Sequence, residues 1–234
     1  NLYLGIAIAV LVAGGLAMLI ELLGYRPLLQ KKARRIYLLI TGLGISTMCE
    51  NLIIICFSSR FRVYPINFSN ESINILGASV GQIDLIIFVV SMIALIAVEL
   101  FIRKSRAGLA IRGASFDLEA TSLMGVNVQK LILIVFMIAG SLAGLAGALL
   151  GAKYTAFPTL GTAMTNKAFI SSVFGGLGSI PGAVLGAILL GVGETMIASY
   201  VSSSMRDIFA YLLLVIVLFV RPSGLMGKEA EDKA

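Results

Sequence analysis

The sequence predicts an all-α protein, a polytopic membrane helical bundle of about seven spans with one short helix presented to the cytosol. Composition and recurrence carry that prediction. Hydrophobic residues make up 59% of the 234 residues, charged residues only 13%, and mean hydropathy is +1.01. A soluble domain of this length needs far more charge to cover its surface. Apolar stretches recur along the chain, so a single anchor does not explain the average. The period-two alternation of an outer-membrane barrel is absent.

A span needs roughly 20 apolar residues to cross a hydrocarbon core of about 30 Å. Leu2–Leu23, Ile36–Phe57, Leu85–Ile102 and Leu131–Gly151 meet that need, and Ala183–Tyr200 and Ile208–Val220 follow near the carboxyl end. Thr162–Leu177 is shorter, and about 24 Å of helix is all that it supplies. Asn1 stands inside an apolar run with no basic flank before it, so an amino-terminal piece with further helices is expected to precede it.

Charge sets the direction. The loop Arg26–Arg35 carries Arg26, Lys31, Lys32, Arg34 and Arg35 without an acid, and is placed in the cytoplasm. Alternation then puts Arg103–Lys130 inside, with Arg103, Lys104, Arg106, Arg112 and Lys130. The tail with Arg221, Lys228 and Lys233 joins them if Thr162–Leu177 crosses as a seventh span. Thirteen of 18 basic residues then lie inside. Arg60, Arg62, Lys153, Lys167 and Arg206 lie outside. The net charge of +6 is accounted for by these loops, and no nucleic-acid partner is expected. Cys49 and Cys56 lie about 10 Å apart along one helix, too far for a mutual disulfide. The chain has no histidine, which removes imidazole chemistry; no metal, cofactor or catalytic group is expected.

The short segment ends in Gly175, Gly176, Leu177, Gly178, Ser179, Ile180, Pro181 and Gly182, a cluster through which no helix runs. One reading is a short or broken helix beside a substrate path. The other is a tight cytoplasmic turn whose glycines allow close packing. Gly140–Ala148 and Gly182–Ala187 carry Gly, Ala and Ser at four-residue spacing, a pattern that lets helices approach closely in lipid.

Within Arg103–Lys130, the stretch Ser115–Gly125 carries helix punctuation. Ser115 is placed to cap its amino end, and Asp117 and Glu119 suit the positive end of the dipole. Gly125 suits the terminating left-handed position. Phe116, Leu123 and Met124 share a face, with Ala120 between them. An amphipathic helix resting on headgroups usually shows basic residues, whereas the charges here are acidic, so docking to protein is expected.

Glu119-Ala120-Thr121, three residues, then Gly125 resembles the coupling motif of ABC importer permeases. Four further stretches are similar to the branched-chain amino acid permease family: Tyr25–Leu28, Arg106–Arg112, Leu123–Asn127 and Phe174–Gly182. The tail Arg221–Gly227 resembles that family's carboxyl end, so the likeness runs through nearly the whole chain. Thr121 departs from the motif's second Ala, and the family's first helices, with their His-containing stretch, have no counterpart here. The resemblance implies a single permease domain over residues 1–234 with a coupling loop at 103–130, in the inner membrane and with a cytoplasmic carboxyl terminus. It implies two cytoplasmic ATPase subunits, a second related permease and an extracytoplasmic binding protein as partners, beside membrane lipid. It carries Glu119, Ala120 and Gly125 onto the coupling helix, and branched-chain or related amino acids are the implied substrate. The residues agree on one point: no GxxxxGK[ST] phosphate loop is present, so energy comes from elsewhere.

Polar groups at bilayer depth are expensive and therefore candidates for function. Glu50, Asn51, Ser171, Ser172 and Glu194 are candidates for the substrate path; hydrogen bonding between helices is the structural alternative. Tyr154 and Thr195 are weaker ones. Glu21 and Glu99 are expected to pair with Arg26 and Arg103 at the interface. Asn67-Phe68-Ser69 and Asn70-Glu71-Ser72 match glycosylation acceptors, although a polar outer loop explains them equally. The alternative function is an ion-coupled secondary transporter in which Glu50 or Glu194 carries the ion.

Overall fold

In hydrocarbon an apolar segment has no partner for its backbone but itself, so each long apolar run becomes a helix. The computed structural model describes residues 2–31, 33–62, 72–75, 78–176, 178–221 and 224–226. Asn67-Phe68-Ser69 and Asn70-Glu71 of the two glycosylation patterns, together with Lys32, Leu177, Pro222, Ser223, Lys228 and Lys233, lie outside the described residues. Among the described residues, six helical stretches are long and apolar enough to cross a membrane: Leu4–Gln30, Ile36–Phe57, Gln82–Lys104, Val128–Lys153, Ile180–Tyr200 and Ser203–Val220. The chain is a multi-pass membrane protein. The seventh expected span is helical as well, over the sixteen residues Leu160–Gly175, and falls short of that length.

The chain folds as two compact units, Asn1–Pro158 and Thr159–Ala234. The first opens with α1 (Leu2–Ile20), which passes through a π-turn at Glu21–Tyr25 into α2 (Arg26–Gln30). After α3 (Arg35–Phe57), a short antiparallel hairpin, β1 (Ser72–Ile75) and β2 (Ala78–Gly81), leads into α4 (Gln82–Lys104). This hairpin occupies part of what the sequence presents as an irregular loop, and its four-residue strands are too short to be read from periodicity. Two short helices follow, α5 (Arg106–Phe116) and α6 (Leu118–Leu123), and α7 (Val128–Lys153) completes the unit.

The unit is held by α1 against α7. Gly140 and Gly144 of α7 meet Ala9, Ala13 and Ala17 of α1, so small residues at four-residue spacing oppose each other. A Cβ added to Gly144 would stand 2.6 Å from the Ala13 Cβ and 2.7 Å from the Ala9 carbonyl oxygen. At the π-turn, the Tyr25 ring packs on Phe136 with centroids 5.0 Å apart. At the other end of α7, Lys153 pairs with Asp84 of α4, and Arg62 and Ala156 form a two-bond bridge of 3.0 and 2.9 Å. By contrast, the α3 window has no buried residue. Its outward leucines and isoleucines fit a surface that meets lipid or another subunit.

The second unit comprises α8 (Leu160–Gly175), α9 (Ile180–Tyr200) and α10 (Arg206–Val220), with a single 3₁₀ turn at Ser203–Met205 before the last. Ile170, Leu190 and Ala210 form its core, with Leu214 against them. The Gly-Pro cluster is the turn between α8 and α9. Gly176 and Gly178 take φ of +112° and +89°, which other residues rarely adopt. Ser179 Oγ accepts from the Gly182 N–H at 3.2 Å and caps α9, with Pro181 in its first turn. Gly175 and Gly182 bring the two backbones together, and Gly186 sits on the Ser171 carbonyl. The Leu225 and Met226 N–H groups then donate to the Phe174 and Gly175 carbonyls at 3.0 and 2.9 Å.

This packing makes a direct prediction. Gly140→Ala should destabilise the chain by about 1–3 kcal/mol, because the added methyl runs into Ala17 and the Ala13 carbonyl. Gly147→Ala on the same helix, where nothing lies within 4 Å, should not. Unfolding midpoints of the two variants in detergent compare them.

Candidate functional site

The stretch between α4 and α7 is built by capping rather than by a core. Ser105 Oγ accepts from the Gly108 N–H at 2.9 Å and starts α5. Arg112 turns back and donates to the carbonyl oxygens of Ile102 and Arg103 at 2.9 and 3.2 Å. A guanidinium on the last carbonyls of α4 satisfies acceptors the helix leaves open and complements its dipole. The absence of a Cβ on Gly108 lets α5 lie against the Ile102 backbone. These bonds fasten α5 to α4.

The cap of α6 corrects the sequence reading. Ser115 lies in the last turn of α5, where its Oγ donates to the Arg112 carbonyl at 2.7 Å. Asp117 is the cap instead: its Oδ1 accepts from the N–H groups of Glu119 and Ala120 at 2.8 and 3.1 Å. The backbone breaks at Asp117, with φ −154° and ψ 114°, so a serine two positions earlier is still helical. The expected single helix is therefore two, and α6 is its second piece. Thr121, the departure from the motif, is the inward residue: it is buried, and its Oγ1 donates to the Asp117 carbonyl at 2.7 Å. Gly125 takes φ +80° where the segment ends, and Asn127 Oδ1 accepts from the Lys130 N–H at 3.1 Å to cap α7.

What the segment around α6 offers outward is apolar, from Phe116 at the end of α5 to Met124 just past α6. Phe116, Leu123 and Met124 are 85%, 87% and 85% exposed. Asp117, Glu119 and Ala120 are exposed beside them. Three large apolar side chains held open on a capped turn make a contact surface with a carboxylate rim.

The path candidates divide between the units. Glu50 is half-buried on α3, and Asn51 Nδ2 donates to the Thr47 carbonyl of the same helix at 2.8 Å. In the second unit, Ser171 is buried and donates to the Lys167 carbonyl at 2.8 Å, while Ser172 donates to that of Phe169 at 2.9 Å. Both serines thus serve their own helix. Glu194 is different: its Oε2 accepts from Lys167 Nζ of α8 at 2.8 Å, and Lys167 also reaches Asp207 of α10 at 3.5 Å. One charge cluster therefore joins all three helices. Glu194 Oε1 is buried with no hydrogen-bond partner among the described residues. A carboxylate already balanced by lysine is a poor carrier of a coupling ion. Sequence reasoning missed Lys167 and Asp207 as partners because it assigned Lys167 to the outer charges. Its place inside a short apolar helix was the available signal. Glu99 pairs with Arg103 one turn along α4. Among the described residues no group of three or more His, Cys, Asp or Glu is arranged to hold a metal ion.

The profile of the family described as branched-chain amino acid transport system / permease component matches residues 1–218. The chain is similar to the high-affinity branched-chain amino acid transport system permease protein LivH of Salmonella typhimurium, 34% identical over 96% of this chain and 74% of that one. It is likewise similar to the permease protein BraD of Pseudomonas aeruginosa, 34% identical over 97% of this chain and 75% of that one. A more distant likeness, 32% identical over 58% of this chain and 40% of the other, is to the guanosine ABC transporter permease protein NupP of Bacillus subtilis. No solved structure matches the chain.

The cluster predicts its own pattern of substitution. Lys167→Met should destabilise the chain by roughly 1–3 kcal/mol, towards the lower end because Lys167 is a third exposed. The double variant Lys167→Met/Glu194→Gln should recover part of that loss, since it no longer strands a carboxylate. Thermal unfolding in detergent ranks the three proteins.

Proposed function

The chain belongs to the branched-chain amino acid transport permease family, and we propose that it forms the membrane-spanning subunit of an ATP-driven importer for branched-chain amino acids. It is a transport subunit and not an enzyme; ATP is hydrolysed by partner subunits. The observation that carries the coupling reading is the outward apolar surface around α6: Phe116 at the end of α5, with Leu123 and Met124, beside Asp117 and Glu119. Such a surface is costly in water, and a docked protein relieves that cost.

In this reading residues 1–234 form one permease domain in the inner membrane, with the 103–130 stretch and the carboxyl terminus in the cytoplasm. Two ATPase subunits dock, one on α6 of this chain and one on the corresponding helix of a second, related permease. An extracytoplasmic binding protein delivers the amino acid. Nucleotide-driven movement of the ATPase subunits displaces α6. The Arg112 bonds to Ile102 and Arg103 pass that displacement to the end of α4, because α5 cannot slide without breaking charge-assisted hydrogen bonds. Glu50 and Asn51 on α3 are the path candidates of the first unit, and Ser171, Ser172 and Glu194 on α8 and α9 are those of the second. A zwitterionic amino acid needs both an anion and a cation partner, and the Glu194–Lys167 pair presents both. The Gly175–Gly182 turn keeps α8 and α9 close enough for that pair to form.

Charge reversal at α6 tests the reading. Glu119→Lys should insert normally yet weaken co-purification of the ATPase subunits at least about tenfold, and leucine uptake into proteoliposomes should fall with it. Ser115→Ala, which touches no cap, should stay close to wild type. Asp117→Ala should cost α6 about 1 kcal/mol of cap and lower uptake in between. Uptake that persists without any ATPase subunit and collapses with an ion gradient contradicts the proposal.

A further inference from the structure

The most deeply buried charged side chain among the described residues is Glu21, 1% exposed at the first position of the π-turn. The interface pair expected with Arg26 is only half made. Glu21 Oε1 stands 4.0 Å from Arg26 Nε, beyond hydrogen-bond reach. Glu21 Oε2 and Arg26 Nε are both buried without a hydrogen-bond partner among the described residues. Both side chains line a cleft of about 180 Å³. Its other wall is Leu118, the first residue of α6, with Val128, Gln129 and Ile132 from the start of α7.

Three features suit this arrangement to two states. Glu21 is screened from water and the Arg26 side chain is 30% exposed, so the two charges attract more strongly than on an open surface, and a displacement of about 1 Å that closes the pair is favoured. A π-turn holds one residue more than the regular ladder and is a place where a helix shifts register at low cost. The cleft supplies the room for that movement. Its walls bring together Leu118 of α6 and the α1–α7 pair, which is locked through Gly140 and Gly144.

We propose that Glu21 and Arg26 are positioning residues of the coupling machinery, a pair that stays apart while the cleft is open and closes when α6 is pressed against it. The pair converts movement of α6 into a register change at the end of α1, and so into a movement of the α1–α7 pair. This rests on the docking role of α6.

The experiment uses the full complex with ATPase subunits and binding protein in proteoliposomes, and reads leucine molecules imported per ATP hydrolysed. Glu21→Gln and Arg26→Gln are each expected to lower that ratio by about threefold, the size of a coupling between contacting residues. ATPase co-purification should stay unchanged. The double variant should fall no further than either single one. A ratio at the wild-type value in both single variants, or a double variant that multiplies the two losses, overturns the proposal. Should either variant fail to assemble, Leu118→Ala carries the test from the other wall: a lowered ratio that the surviving variant, Glu21→Gln or Arg26→Gln, does not deepen supports the pair, and an unchanged ratio overturns it. Normal docking of the Glu119→Lys chain sinks the α6 reading instead, so the two failures are told apart.

Discussion

Helices in hydrocarbon have no hydrophobic reason to seek one another, so this chain holds together only where its backbones come close enough for dispersion to matter. Two such places organise it. In the first unit α7 lays Gly140 and Gly144 against Ala9, Ala13 and Ala17 of α1; in the second, α8 and α9 meet at Gly175, Gly182 and Gly186. The polar groups are arranged around those seams. Lys167, Glu194 and Asp207 tie the helices of the second unit once the glycines have brought them together. Glu21 and Arg26 lie where α1 leaves its partner. Side chains larger than those present at these seams would separate the helices and leave the charges without partners.

In the proposed coupling role, the segment between α4 and α7 is held by hydrogen bonds rather than by a seam. The chain carries no phosphate loop, and its outward apolar turn stands on two caps and a guanidinium. Asp117 and Asn127 define where α6 begins and α7 resumes, and Arg112 fastens α5 to α4. A segment of six helical residues has little stability of its own. Its rigidity comes from these bonds, which is what a lever needs: force applied at Leu123 is useful only if the turn moves as a unit.

Much of this was legible in the sequence, because lipid imposes strong rules. Span positions follow from hydropathy, and the long helices lie where apolar runs place them. Gly125 and the Gly-Pro cluster could be read as breakers because positive φ leaves few alternatives. Partners were harder. The small residues of Gly140–Ala148 announce a close approach without saying that α1 answers it. Ser115 and Asp117 are both good caps by composition, and only the backbone break at Asp117 decides between them. Thr121 looked like a blemish in a motif, yet burial makes it the inward anchor of α6. Glu21 passed for an interfacial residue, since sequence position near a span end does not reveal that a π-turn folds it inward. Lys167 was counted as an outer charge because a lysine in a short helix shows its partner only when neighbouring helices are in place.

The whole coupling scheme stands on α6 facing the cytosol and receiving a protein there. Leu123→Cys, in a chain with Cys49→Ser and Cys56→Ser, allows that to be measured with a membrane-impermeant maleimide. A cytosolic α6 predicts labelling in inside-out vesicles, none in right-side-out vesicles, and protection when the ATPase subunits are bound. Labelling from the outer face of intact vesicles, or labelling that bound ATPase subunits leave unchanged, would contradict it.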